Sequence, residues 1–150
     1  MSATDASDDI RATGGCLCGA VRYAVRGPLR EVVVCHCGRC RRTHGDAAGY
    51  ANCAAADLEL LEDDGLRWFA QEGRERGFCR TCGASLFWRV AAGATLSIAA
   101  GTIDAPTGLR TVAHIFLDSR GDYESTPVEG EHFGAGLPDG WAAPVSRGVG

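Results

Sequence analysis

The chain has 150 residues, of which 45% are hydrophobic and 23% are charged, a composition that suits one compact domain with its own core. All 15 basic residues are arginine, and the absence of lysine excludes Schiff-base chemistry, pyridoxal phosphate attachment and a phosphate-binding loop. The formal net charge of -4 disfavours nucleic acids and anionic membranes as partners, so we predict neither.

The predicted elements begin with a tail at residues 1–12, which is rich in Ser, Ala and Asp and is expected to be disordered. Residues 13–120 contain short apolar runs between glycine and turn signals, which predict a single-domain, mostly antiparallel β fold. Helix is expected only after Cys40 and within residues 54–62, and residues 121–150 predict a C-terminal strap over the same domain. The predicted strands are residues 20–25, 31–35, 47–53, 58–61, 66–70, 85–90, 95–99 and 112–117.

The cysteines are the most informative residues, because seven of the eight fall into three tight clusters. Thiols one or two residues apart can face a common metal ion, whereas a disulfide framework usually spreads its cysteines over distant loops. No secretion signal and no apolar run of membrane-spanning length are visible, so we expect a cytoplasmic protein whose thiols stay reduced. The clusters are Cys16 and Cys18, then Cys35, Cys37 and Cys40, then Cys79 and Cys82.

Ligand counting divides these clusters into four plus three. The central cluster already supplies three thiols, whereas each flanking pair supplies two and needs a second half. We therefore predict a structural zinc held by both flanking pairs, Cys16, Cys18, Cys79 and Cys82. The central triad is interpreted as a second metal site with an open coordination position, although a vacant or purely structural site is the alternative.

Three longer stretches carry a family resemblance: residues 14–23, 35–42 and 76–88, supported by residues 101–104 and 113–119. Their cysteine clusters, order and flanking residues resemble the glutathione-dependent formaldehyde-activating enzyme family, which also includes centromere protein V. The resemblance spans roughly residues 13 to 120. It implies a zinc-stapled β fold of the Mss-four-like type, with a structural zinc on the four flanking cysteines.

The same resemblance implies a catalytic zinc on Cys35, Cys37 and Cys40, in a carbon–sulfur lyase that acts on adducts of thiols with aldehydes. The family's founding reaction combines formaldehyde and glutathione into S-hydroxymethylglutathione. A metal-activated thiolate that attacks a small carbonyl makes this chemistry reasonable at neutral pH. The expected partners are therefore a small thiol such as glutathione and an aldehyde.

Three arginines, Arg39, Arg41 and Arg42, flank the central triad. A guanidinium group forks onto carboxylates, so we predict that these arginines bind a thiol peptide, with solvated or ion-paired surface side chains as the alternative. This places the predicted substrate site directly beside the second metal site.

The remaining candidates are three histidines and the unclustered cysteine. His36 lies between two ligands on an extended backbone, so its side chain should point away from the metal toward neighbouring groups or the surface. His44 is interpreted as a turn residue rather than a ligand or proton shuttle, and His114 as a core histidine. Cys53 is predicted to be a buried apolar residue.

Two further functions stay open on the sequence. The first is a non-catalytic binding or redox-sensing module in which one structural zinc suffices and the triad is vestigial. The second is an iron–sulfur protein, since thiolate clusters also bind such centres. The number of metal ions per chain and the colour of the protein discriminate among these hypotheses.

Overall fold

The structure is a computed structural model that describes residues 10–127 and 129–143, together with the backbone of residues 145 and 146. Within these residues the chain is mostly β, with twelve strands and a single α-helix, α1 (Gly38–His44). No helix there is long and apolar enough to cross a membrane. The strands are β1 (Ala12–Gly15), β2 (Arg22–Val25), β3 (Leu29–Cys35), β4 (Ala48–Ala54), β5 (Leu58–Glu62), β6 (Leu66–Gln71), β7 (Arg74–Cys79), β8 (Ser85–Val90), β9 (Thr95–Ala99), β10 (Thr111–Ile115), β11 (Glu131–His132) and β12 (Val145–Ser146).

The described strands form two sheets. A three-stranded antiparallel sheet has the order β1-β2-β5, and a nine-stranded sheet has the order β11-β10-β3-β4-β9-β8-β7-β6, with β12 pairing β3. Most pairs are antiparallel, as predicted, but β10 runs parallel to both β3 and β11. The apolar pattern could not reveal this, since a parallel pair depends on where a long connection crosses the sheet.

Four strands, β1, β7, β11 and β12, have no counterpart in the predicted set. β1 is rich in glycine because it packs closely: a Cβ on Gly14 would lie 2.4 Å from the Thr102 carbonyl oxygen. β7 begins with charged residues and therefore lacks an apolar run. β1 also begins at Ala12, inside the predicted tail, and the Arg11 amide donates to the Val25 carbonyl. Residues 1–9 of that tail lie outside the described residues.

The main hydrophobic core lies between the two sheets. Tyr23 from the small sheet meets Phe87 from the large sheet edge-to-face, with ring centroids 5.2 Å apart. Cys53 is 3% exposed within this core, in agreement with its prediction as a buried apolar residue. Successive side chains of a strand point to opposite faces, so Tyr50 and Trp88 contact a second, smaller cluster on the other face of the large sheet.

Candidate metal centres and the adjoining cavity

The first candidate metal centre joins the end of β1 to the end of β7. Sulfur atoms of Cys16, Cys18, Cys79 and Cys82 all lie within 4.8 Å of one another. The Cys18 sulfur is 3.7 Å from that of Cys16 and 3.8 Å from that of Cys79. A tetrahedral ion with metal–sulfur bonds of 2.3 Å requires sulfur atoms about 3.8 Å apart. The four thiols therefore fit a tetrahedral metal ion.

Backbone amides support the thiolate form at this centre. The Val21 amide donates to the Cys16 sulfur at 3.3 Å. Hydrogen bonding from the Ala84 backbone lowers the pKa of Cys82 to about 6. The turn that carries Cys82 is closed by the Gly83 amide, which donates to the Cys79 carbonyl, and Gly83 has a φ of 77°. Thiolates are the form that binds metal, so the turn geometry favours metal binding.

The second candidate centre is built by the junction of β3 and α1. Cys35 ends β3, Cys37 is the N-cap of α1, and Cys40 lies in the first turn of the helix. The Cys37 sulfur accepts a hydrogen bond from the Cys40 amide at 3.4 Å, so one thiol both caps the helix and faces the triad. All three sulfur atoms lie within 4.8 Å of one another, which suits a metal ion with three protein ligands.

Neighbouring groups shift the pKa values of Cys35 and Cys40 in opposite directions. Hydrogen bonding from Cys35, then from Cys37, and the positive charge of Arg76 lower the pKa of Cys40 to about 6. The pKa of Cys35 is raised, first by its hydrogen bond to Cys40 and then by burial. The two thiols are therefore coupled through the hydrogen bond that they share.

His36 points away from the triad, as the alternation of an extended chain predicts. It is 4% exposed, so the surface alternative is wrong. Its Nδ1 lies 2.6 Å from Glu124 and its Nε2 lies 2.9 Å from Nδ1 of His114. Burial, followed by the neighbouring imidazoles of His36 and His132, lowers the pKa of His114. The predicted core histidine thus belongs to a hydrogen-bonded chain behind the triad.

His44 does more than end a turn, because its Nε2 lies 2.5 Å from the hydroxyl of Tyr50. Burial and then the charge of Arg76 lower the pKa of His44. Burial raises the pKa of Tyr50, with a further contribution from Cys40. A neutral imidazole can therefore accept the hydrogen bond that a protonated phenol donates, next to the triad.

A cavity of about 650 Å³ opens beside the triad, whose three cysteines form part of its wall. A neighbouring cavity of about 460 Å³ shares three lining residues with it: Arg39, Tyr50 and Arg76. The other cationic and apolar residues on the larger wall include Arg30, Arg74, Trp88, Phe116 and Leu137. Leu137 shows that the C-terminal segment reaches this cavity.

The three arginines predicted to bind substrate occupy different places. Arg39 lines both cavities and forms an ion pair with Glu72. Arg42 lines the smaller cavity, whereas the Nε of Arg41 donates to the Ser119 carbonyl at 3.2 Å and Arg41 lines neither cavity.

Sequence reasoning missed three other arginines on the wall of the larger cavity, namely Arg30, Arg74 and Arg76. Arg30 lies on β3, and the other two lie on β7, a strand that was not predicted. The alternation Arg74-Glu75-Arg76 was the available signal, since it places both arginines on one face of an extended strand.

Comparison with known proteins gives a family match and a structural likeness. The family model described as glutathione-dependent formaldehyde-activating enzyme matches residues 11–119. The fold is similar to the crystal structure of a Rhodobacter sphaeroides structural-genomics protein, with a TM-score of 0.54 and 24% sequence identity. That likeness covers 62% of this chain and 88% of the other chain, and it concerns the fold alone. No curated protein matches this chain.

Proposed function

The chain belongs to the glutathione-dependent formaldehyde-activating enzyme family, and from this membership we propose that it is a zinc-dependent carbon–sulfur lyase acting on adducts of thiols with aldehydes. The proposed reaction joins glutathione, or a similar thiol, to formaldehyde and also cleaves the product. The observation that carries this proposal is the triad of cysteine sulfurs on the wall of a cavity large enough for a tripeptide.

The two cysteine groups would have different roles. Cys16, Cys18, Cys79 and Cys82 would hold a structural zinc with four closed ligands, and the triad would hold a second zinc with an open position. Soft thiolate ligands favour zinc, and a reducing cytoplasm would keep them available. When bound at the triad, zinc would lower the pKa of the substrate thiol, so that a thiolate forms at neutral pH.

The proposed reaction forms one carbon–sulfur bond and moves one proton from the thiol to the carbonyl oxygen. The thiol loses its proton, its sulfur attacks the carbonyl carbon, and the carbonyl π electrons move to the oxygen, which then accepts a proton. We assign this proton transfer to the pair formed by Tyr50 and His44, because Tyr50 lines both cavities and its hydroxyl touches the imidazole. The same pair would remove that proton when the adduct is cleaved.

The cavity wall would bind and shield the reactants. Trp88, Phe116 and Leu137 supply apolar surface that displaces water from the attacking sulfur. Arg39 and Arg42 line the cavities and are proposed to contact the thiol peptide, whereas Arg41, which lines neither cavity, contacts the Ser119 carbonyl.

The test is exchange spectroscopy of the uncatalysed equilibrium between glutathione, formaldehyde and S-hydroxymethylglutathione. Zinc-loaded protein should accelerate exchange in a saturable manner, and Cys37→Ser protein with an intact fold should not. Other small thiols, such as cysteine and mercaptoethanol, are tested in parallel. Absence of acceleration with every thiol, at full zinc loading, would overturn the proposal.

A further inference from the structure

The cavity beside the triad is cationic, although the chain as a whole is acidic. Four arginines, Arg30, Arg39, Arg74 and Arg76, line it, and none of the described residues on its wall is acidic. The neighbouring cavity is also lined by arginines, and the described residues on its wall include no acidic one. A concave surface of one charge attracts ligands of the opposite charge, even when the net charge of the protein is -4.

Arg30 is a half-buried cation without an acidic partner. Its Nη2 donates to the Tyr50 carbonyl at 2.9 Å, and its Nε donates to the Glu31 carbonyl at 3.1 Å. Both acceptors are neutral backbone groups, and Arg30 forms no ion pair with any carboxylate of the described residues. The two carbonyls fix the orientation of the guanidinium group without neutralising its charge.

Arg76 is a second cation without a carboxylate partner among the described residues, and it lies beside the triad. Its Nη2 is 4.0 Å from the Cys40 sulfur, which places the guanidinium group next to the triad. Its Nη1 is shielded from solvent and has no hydrogen-bond partner among the described residues. A buried donor without an acceptor is costly, so a ligand oxygen placed against Nη1 would remove that cost.

Arg39, by contrast, already forms an ion pair with Glu72. A ligand carboxylate would have to compete with that ion pair. Arg39 is therefore less available to a ligand than Arg30 and Arg76, which the sequence did not indicate.

We propose that Arg30 and Arg76 bind carboxylates of the substrate thiol and make the cavity selective for thiols that carry such groups. This inference rests on the proposed function, since it names the class of thiol that the same site accepts. The planar guanidinium group can donate two hydrogen bonds to a carboxylate. An uncharged thiol of similar size cannot accept these charge-assisted hydrogen bonds and should bind more weakly. The volume of about 650 Å³ accommodates a tripeptide-sized ligand.

The probe is S-methylglutathione, a thioether that has no thiol proton to lose, compared with its diethyl ester, which lacks both carboxylate charges. Calorimetric titration of the full-length, zinc-loaded protein should show at least about tenfold tighter binding of the acid than of the ester. Raising the salt concentration should weaken binding of the acid and should not weaken binding of the ester, whose only charge is its ammonium group.

Substitutions then assign the selectivity to residues. Arg30→Gln and Arg76→Gln should each weaken binding of the acid by about tenfold and should not weaken binding of the cationic ester. Arg67→Gln is the matched control, because Arg67 is exposed, lies outside both cavities and contacts backbone carbonyls only. Arg30→Lys and Arg76→Lys keep the positive charge but lose the planar guanidinium group. These variants are measured in the same way where a glutamine variant fails to fold.

Equal affinity of the wild-type protein for the acid and the ester would overturn the inference without any variant. Unchanged affinity in folded Arg30 and Arg76 variants would overturn the assignment to these residues. Binding and turnover test the two proposals separately. Charge selectivity without accelerated exchange would contradict the lyase alone. Accelerated exchange without charge selectivity would contradict the carboxylate-binding role alone.

Discussion

Glu124 accepts a hydrogen bond from Nδ1 of His36 at 2.6 Å, and the two side chains are only 10% and 5% exposed. The same carboxylate accepts the Gly121 amide at 2.6 Å. With Nδ1 of His36 donating, its Nε2 can accept from Nδ1 of His114. This chain of contacts joins the C-terminal segment to the turn that carries Cys35 and Cys37.

Replacing Glu124 with glutamine should therefore weaken both the fold and the second metal centre. Loss of a buried, charge-assisted hydrogen bond should lower the free energy of unfolding by about 1–3 kcal/mol. Misorientation of His36 should weaken metal binding at the triad by about tenfold. Denaturant titration and chelator competition measure the two effects. Glu62→Gln, on the exposed face of β5, should change neither, and an unchanged Glu124→Gln protein would contradict this role.

The two cysteine groups should differ in what their loss does. Wild-type protein should contain about two metal ions per chain, and Cys37→Ser should retain about one with an intact fold. Cys82→Ser should also lose one ion but should unfold much more readily, because this centre ties β1 to β7 at the edge of the main core. Elemental analysis and thermal unfolding distinguish these outcomes. One metal ion in both wild type and Cys37→Ser would favour the binding or redox module.

Gly65 should tolerate no side chain. A Cβ at this position would lie 2.9 Å from the Cys79 sulfur and 2.9 Å from the Ala20 Cβ. Gly65→Ala should therefore lower the free energy of unfolding by about 1–3 kcal/mol through overpacking. Gly101→Ala is the control, since nothing lies within 4 Å of a Cβ there. Equal stability of the two variants in denaturant titrations would contradict the close packing.

Cys53 should behave as a core residue and not as a metal ligand. Burial raises the pKa of Cys53 to about 11. Cys53→Ser places a hydroxyl in the core and should lower the free energy of unfolding by about 1–3 kcal/mol. The metal content should stay at the wild-type value in elemental analysis. A loss of metal in a folded Cys53→Ser protein would identify this thiol as a ligand.

Tyr50→Phe should slow the proposed reaction without preventing binding. Removing a proton-transfer group should lower kcat by about 100-fold, while KM stays near the wild-type value. The control is Tyr123→Phe, which removes a hydroxyl that donates to Asp46. Tyr123 is 63% exposed. Steady-state kinetics on zinc-loaded proteins give both constants. A Tyr50→Phe enzyme as fast as Tyr123→Phe would exclude Tyr50 from proton transfer.

Much of the fold could be predicted where side chains alternate. The bounds of β8 and β9 agree with the predicted residues 85–90 and 95–99, because apolar and polar residues alternate there between clear turn signals. β1 and β7 were missed because glycine and charge replace the apolar pattern. The parallel pairing of β10 depends on long-range connectivity, which local patterns do not contain.

The candidate site, like the fold, could be predicted only where the signal lies in residues close together in the sequence. Short spacings placed the central cysteines together, and ligand counting paired Cys18 with Cys79 across 61 positions. The cavity wall was not predictable, because Arg30 and Arg76 come from different strands and meet only after the sheet has formed. Contacts of Glu124 were equally hidden, since a carboxylate in a loop gives no local signal of burial.

The hydrogen bonds that link His36 to His114 and Glu124 span 78 and 88 positions of the chain. During synthesis the triad cysteines emerge long before these partners do. The four thiols of the first centre are complete once Cys82 has emerged, so that centre can form on a nascent chain. The second centre acquires its supporting residues only after His114 and Glu124 have left the ribosome, so a chain that stops before them would leave the second centre unsupported.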